Sequence, residues 1–489
     1  MKRRDFLAQC TTAAVGTAVG GCSHLATRSS KTNRPPNIVF FFIDDMGWRD
    51  LGCTGSEFYS TPNIDRLSRQ GMLFTNAYAN APNCAPTRAC LLSGQYGPRH
   101  GVYTVGSSAR KPDNKRKLVP IPNNQTLATD NLTFMEALMP AGYASVSIGK
   151  WHLGDTPETL PTGQGFEQNI GGTHSGSPDG GYFPPYKNKN LPDGPEGEYL
   201  TDRLTDEAVA FIETNKDRPF FLYLSHYAVH TPIQAKKEIT QKYEHKPPSH
   251  GQENATYAAM IESVDESVGR VLDTLEQLGL TDDTVVIFTS DNGGHGCITS
   301  NQPLRGAKGM LYEGGIRVPA MVRWPGRVKP GSVCDTPIIS IDFYPTFLEL
   351  AGLSKPDGKI LDGKSITPLL TQSETLKRDA LFWHFPAYLQ KYSCIDDVWR
   401  TTPVSVIRNG NWKLLEFFEP EGTPNRIELY DLKNDISETT NLAQQEPRKT
   451  RELLNELRAW REAVDAPVPT QSDPNYNPDA SPDGFDWMS

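Results

Sequence analysis

The period of the hydrophobic pattern changes several times along the chain. Residues 37–43 form an unbroken apolar run, too short for a core helix and matching a strand buried on both faces. Runs at 143–148, 219–224 and 284–289 read the same way. Between them, apolar positions recur every three to four residues at 132–139, 202–214 and 254–278, which predicts amphipathic helices. Strand and helix in alternation predict an α/β fold with a largely parallel sheet sandwiched by helices. Each run ends in polar or ionisable residues: Asp44-Asp45, Gly149-Lys150-Trp151-His152, Ser225 to His230, and Ser290-Asp291-Asn292. Open α/β sheets bind ligands past the carboxyl ends of their strands, so these four ends predict one shared site.

Near residue 370 the pattern shortens. Segments 381–385, 404–408, 412–418 and 426–430 read as strands separated by Asn409-Gly410-Asn411 and Glu421-Gly422-Thr423-Pro424, predicting an antiparallel sheet. An amphipathic helix over 447–464 is expected to pack on it. From Ala466 onward Pro, Asp, Asn and Ser predict an irregular tail. The expected organisation is a leader at 1–30, a catalytic domain at 35–370, a subdomain at 371–465 and a tail at 466–489. The leader pairs Lys2-Arg3-Arg4 with a short apolar run and resembles a twin-arginine export signal. Val19-Gly20-Gly21-Cys22 is similar to a lipoprotein processing site, which would put a lipid anchor on Cys22. A disordered basic tail is the other reading. The leader implies an exported protein, periplasmic or associated with the outer membrane or cell surface. No later apolar run approaches the ~20 residues of a spanning helix.

A net charge of -9 over 489 residues argues against nucleic acid as a partner, because binders of that kind neutralise phosphates with excess Lys and Arg. The 37% hydrophobic and 22% charged content is that of an ordinary globular chain. Of eight cysteines, Cys10 and Cys22 fall in the leader, and the rest follow no repeating framework. One or two disulfides stay open, with the pairing undetermined.

The richest segment is Asn83-Cys84-Ala85-Pro86-Thr87-Arg88-Ala89-Cys90-Leu91-Leu92-Ser93-Gly94. Pro86 in a first helical turn places Cys84 at a helix N-terminus, where the dipole favours anions and is expected to acidify a thiol. The segment resembles the signature of the formylglycine-dependent sulfatases, of arylsulfatase type in the alkaline-phosphatase superfamily. In that family the cysteine is oxidised to formylglycine after translation. The likeness continues in order through Asp44-Asp45, residues 149–154, His230-Thr231-Pro232, Asp291-Asn292-Gly293, Arg305 to Gly309, Glu313 to Pro319 and Leu429 to Leu432. Thr87, Cys90, Gln95 and Val229 depart from the usual choices without removing a group the chemistry needs.

The resemblance implies an alkaline-phosphatase-like fold and a sulfuric ester hydrolase. It implies one Ca²⁺ held by Asp44, Asp45, Asp291 and Asn292 together with the formylglycine at Cys84. These are oxygen donors that suit a hard cation, although an Asp pair after a strand also serves as a turn or cap. Arg88, Lys150 and Lys308 match the positions that stabilise sulfate charge. The implied nucleophile is the formylglycine hydrate, its proton drawn toward Asp291. His230, near Lys308, would protonate the leaving oxygen, and His152 would take the proton that lets sulfate depart. His226 and His295 match no such role. A maturation enzyme that makes formylglycine is an implied partner.

For substrate contacts, His174, Arg99, His100 and His384 are the candidates; the loop 171–186 and Trp383-His384 have the polar and aromatic content that suits sugar rings, with a plain surface loop as the other reading. The expected substrate is a sulfated carbohydrate, reached by analogy with the family. The acidic bulk of the chain around a locally basic site points to an exo-acting enzyme that takes a small substrate end. A phosphonate or phosphate diester hydrolase of the same superfamily, and an inactive glycan-binding relative, are the alternatives.

Overall fold

The computed structural model describes residues 34–394, 399–419 and 426–479. The leader and the last part of the expected tail lie outside the described residues, as does the Cys22 anchor site. No described helix is long and apolar enough to cross a membrane.

Eight strands form the main sheet in the order Gln168–Ile170, Ala144–Gly149, Phe220–Ser225, Asn37–Ile43, Thr284–Ser290, Ala320–Arg323, Met72–Phe74 and Ser332–Cys334. The first five are mutually parallel, while Ala320–Arg323 runs antiparallel to both its neighbours. Asn37–Ile43 lies in the middle and is wholly buried. Alternation along a strand sends successive side chains to opposite faces. Ile38, Phe40 and Phe42 join a core with the helices Cys84–Ser93, Phe134–Leu138 and Phe343–Leu350. Val39, Phe41 and Ile43 join a second core with Leu200–Asn215 and Ala255–Gln277. Burial on both sides is why the run carries no polar alternation.

A separate antiparallel sheet orders Ala380–Phe385, Val404–Asn409, Trp412–Phe417 and Ile427–Asp431. Gly410, at φ 58°, begins the two-residue turn between Asn409 and Trp412, a conformation glycine adopts without steric penalty. One face packs Ile407, Leu414 and Leu429 against Leu453 and Leu457 of the helix Pro447–Ala463. The other packs Trp383, Val404, Val406 and Leu415 with Tyr78, Cys90 and Ile316. The C-terminal sheet therefore supports the helix that begins at Cys84. The described part of the tail lies irregularly along residues 114–119, where Val119 N donates to Gln471 O and Arg116 pairs with Asp473.

Candidate active site

The four central strands end side by side, and backbone hydrogen bonds carry their alignment into the loops. Asp44 N donates to Ala228 O (3.1 Å), Val229 N to Asp44 O (2.8 Å), Lys150 N to Ser225 O (2.7 Å) and Asp291 N to Ile43 O (3.1 Å). Asp45 and His152 sit at φ 61° and 66°, left-handed backbone that non-glycine residues hold only where surrounding packing enforces it. A Cβ on Gly176 would come within 2.6 Å of the His152 ring, so that glycine lets its loop close on the imidazole.

Three carboxylates and three cations are paired here almost without water. Lys150 Nζ lies 2.6 Å from Asp44, Lys308 Nζ 2.8 Å from Asp45, and Arg88 Nη2 2.7 Å from Asp291. Arg88 Nη1 also donates to Lys150 O (3.0 Å) and Ser225 Oγ (2.6 Å). Asn292 Nδ2 donates to Asp45 Oδ1 (2.8 Å). Burial, with Asp291 beside it, raises the Asp44 carboxyl well above the usual range despite Lys150. Burial also works to raise Asp45, but Lys308, His230 and Lys150 together hold it far below that range. Burial works to lower the Lys308 ammonium, but Asp45, Cys84 and Asp44 together keep it above an ordinary lysine.

One oxygen, Sγ or ring nitrogen from each of Asp44, Cys84 and Asp291 lies within 4.8 Å of the others, and likewise for Asp44, Asp45 and His230. Two buried oxygens of this group, Asp44 Oδ1 and Asn292 Oδ1, lack a hydrogen-bond partner. Buried polar atoms are rarely left so. Their chemistry and that of the neighbouring carboxylates fit a hard divalent cation.

Cys84 opens its helix, as expected, but its thiol is not acidified. Burial pushes it up in spite of Lys150 and Lys308, so the helix terminus loses to desolvation. His152 and His230 are both depressed well below ordinary histidine, first by burial and then by the nearby cations. His230 Nδ1 pairs with Thr231 O at 2.8 Å, so the neutral ring carries its proton there and turns Nε2 toward Asp45, 3.8 Å away.

The structure thus brings together Asp44, Asp45, Cys84, Arg88, Lys150, His152, His230, Asp291, Asn292 and Lys308. His174 stands beside them, its ring centre 6.1 Å from that of His152. The other three substrate candidates have partners elsewhere. Arg99 pairs with Asp362 (2.8 Å), His100 Nε2 meets Cys90 Sγ (3.4 Å), and His384 is bonded to Ser405 Oγ and Pro467 O. Burial depresses both His100 and His384 to about 3, leaving them neutral. Ser225, which fixes Arg88, is a contact that motif reasoning missed although it lies at a strand end. Tyr392 and Arg400, which touch the Lys308 backbone, carried no sequence signal.

Paired acids, cations and a buried cysteine thus stand past the carboxyl ends of a largely parallel α/β sheet, where such sheets bind ligands. Residues 36–353 match the family model described as Sulfatase, and residues 307–463 match N-sulphoglucosamine sulphohydrolase, C-terminal. The chain belongs to the sulfatase family and is a sulfuric ester hydrolase. It is 38% identical to a sulfatase of Formosa agariphila across 91% of this chain and 92% of that one. It is 34% identical to human N-acetylgalactosamine-6-sulfatase across 73% and 69%. The crystal structure of Ps i-CgsB in complex with k-i-k-neocarrahexaose superposes with a TM-score of 0.72 and 31% identity, covering 90% of this chain and 95% of that one.

Proposed function

We propose that this chain is an exo-acting carbohydrate sulfatase that uses a formylglycine made from Cys84 and one calcium ion. The observation that carries the reading is the placing of the buried Cys84 thiol against Asp44 and Asp291, inside a ring of Arg88, Lys150 and Lys308. The modified form of Cys84 is supported by the resemblance of residues 83–94 to the family signature, and burial, which raises the unmodified thiol, makes it a weak nucleophile as it stands. The sulfated-carbohydrate class is supported by the relatives: one is named for N-acetylgalactosamine 6-sulfate chemistry and another is solved with a neocarrahexaose.

Asp44, Asp45, Asp291 and Asn292 would hold the calcium, whose bound charge would offset that of the sulfate oxygens. Once these carboxylates turn to a cation, Lys150 and Lys308 are free to face the sulfate, and Arg88 keeps Asp291 in place. His152, neutral and buried, is suited to accept a proton beside Cys84. His230 is neutral in the free site and must gain a proton at Nε2 before it can give one to the leaving oxygen. An ester anion entering beside it favours that uptake. Export, with residence in the periplasm or at the outer membrane, and a lipid on Cys22 follow from the leader. A formylglycine-generating enzyme would be the maturation partner.

Peptide mass spectrometry across Cys84, on protein from a host able to mature it, tests the central claim. An aldehyde at Cys84 and loss of sulfate release in Cys84→Ala are expected, whereas a thiol in all active material would refute it. Side-by-side turnover of an aryl sulfate and an aryl phosphate diester, then a panel of defined sulfated sugars, fixes the substrate class.

A further inference from the structure

Lys308 takes its position from no helix or strand. Its N–H donates to Gly294 O (3.0 Å), and the next N–H, of Gly309, donates to Pro82 O (2.6 Å), two residues before Cys84. Its own carbonyl accepts from the Tyr392 hydroxyl and from Arg400 Nη1 at 3.4 Å. Gly309 is left-handed at φ 87°, and a Cβ there would meet Arg400 Cδ at 2.5 Å, so the glycine admits the arginine against the turn. The Arg400 guanidinium carbon lies 3.9 Å from the centre of the Tyr392 ring, and that ring also meets His295, 4.4 Å between centroids. The Cys297–Cys394 disulfide lies two residues past each of these rings and joins the two segments across 97 residues.

We propose that Tyr392, backed by Arg400 and clamped by the Cys297–Cys394 disulfide, is a positioning residue that sets Lys308 for the sulfate. The proposal rests on the reading of Lys308 as a sulfate-binding group. Hydrogen bonds to both the N–H and the C=O of Lys308 fix its backbone dihedrals, and so the direction in which the ammonium leaves the turn. Tyr392 is buried, which raises its phenol and keeps it a donor over the working pH range. The disulfide ties the segment that carries the Tyr392 ring to the one that carries His295.

The test uses the matured full chain and reads kcat and KM on an aryl sulfate, the Kd for inorganic sulfate by calorimetry, and thermal melting. Tyr392→Phe removes only the hydroxyl. A roughly five- to tenfold loss in kcat/KM is expected, with a matching loss of sulfate affinity and an unchanged melting temperature. In a Lys308→Ala background the same change is expected to cost nothing further, because coupled residues are not additive. Equal losses in both backgrounds overturn the proposal, as does a lower melting temperature with kcat/KM intact. The double variant Cys297→Ser with Cys394→Ser is expected to repeat the Tyr392→Phe loss while remaining folded. Full activity without the disulfide overturns its part as clamp. If Lys308→Ala alone leaves sulfate affinity unchanged, the underlying reading of Lys308 fails, and this single variant shows it before Tyr392 is compared.

Discussion

Lys150 and Asp44 meet with neither side chain exposed to water, Nζ 2.6 Å from Oδ2. Taking one partner away leaves a buried charge or forces a proton onto it. In the metal-free protein Lys150→Ala is therefore expected to destabilise by about 3–5 kcal/mol. It should also reduce kcat/KM by roughly 10²- to 10³-fold, the usual loss when one donor to developing charge is removed. Pairing Lys150→Met with Asp44→Asn should restore much of the stability and none of the activity. Urea melts and aryl sulfate turnover on the three proteins check this, and a stable Lys150→Ala would contradict the sealed pair.

Because Arg88, Lys150 and Lys308 already balance the three carboxylates, losing a bound cation does not leave naked repulsion. Chelation is expected to abolish turnover while the protein stays folded. Calcium at a hundred times its Kd adds only about 2.7 kcal/mol, so the melting temperature should fall by a few degrees. Adding Ca²⁺ back should restore both. Asn292→Ala withdraws one of the unpartnered oxygens and is expected to raise the Ca²⁺ needed for half activity at least about tenfold. Turnover that survives exhaustive chelation would remove the metal from the reading.

His230 as donor to the leaving oxygen predicts a dependence on the leaving group. An alkoxide needs the proton and a nitrophenolate hardly does. His230→Ala is expected to slow a sugar sulfate by about 10²- to 10⁴-fold and a nitrophenyl sulfate far less. Equal losses on both substrates would reassign His230 to binding.

The four strands legible in the sequence are neighbours at the centre of the sheet. Double-sided burial produces unbroken apolar runs there. Met72–Phe74, Gln168–Ile170 and Ser332–Cys334 are three residues long, too short to show a period, and only pairing defines them. Asp44, Asp45, Lys150, His152, His230, Asp291 and Asn292 were legible because each follows a buried run, whereas Lys308, in no helix or strand, was marked only by its resemblance motif. The thiol of Cys84 was misjudged because sequence shows a helix terminus but not the burial that opposes it. Tyr392 and Arg400 escaped notice because they act on a backbone carbonyl 84 and 92 residues away. Adjacency to the signature also misleads: His100 turns inward to Cys90, a contact no spacing rule predicts.

Lys413, in the C-terminal sheet, lies with its Nζ 3.0 Å from Glu313, at the start of the short helix Glu313–Ile316, and 2.8 Å from Glu438, all three buried. The two acids titrate in opposite directions. Burial works to raise Glu313, but Lys413, Arg317 and Arg408 hold it at about 2. Glu438, raised by burial and by Glu313 more than Lys413 lowers it, reaches about 7 from an ordinary 4.5. A carboxyl that keeps its proton more tightly when folded adds stability that is complete below the unfolded value and lost as pH climbs through the folded one. Stability from Glu438 should thus be present below about pH 4.5 and fade up to about 7, with a slope of at most about 1.4 kcal/mol per pH unit. Glu313 contributes in the opposite sense, with stability present above 4.5 and lost only as pH falls through about 2, outside this window. Asp265, raised to about 6 by burial, adds a decline of the same sign as Glu438. Glu438→Gln should remove this one contribution from a profile that Asp265 and the depressed buried histidines also shape, so the variant matches the parent near pH 5 and melts higher than it at pH 8. Melting curves of both proteins from pH 4.5 to 8 decide the point, and an undiminished slope in the glutamine variant would place the proton elsewhere.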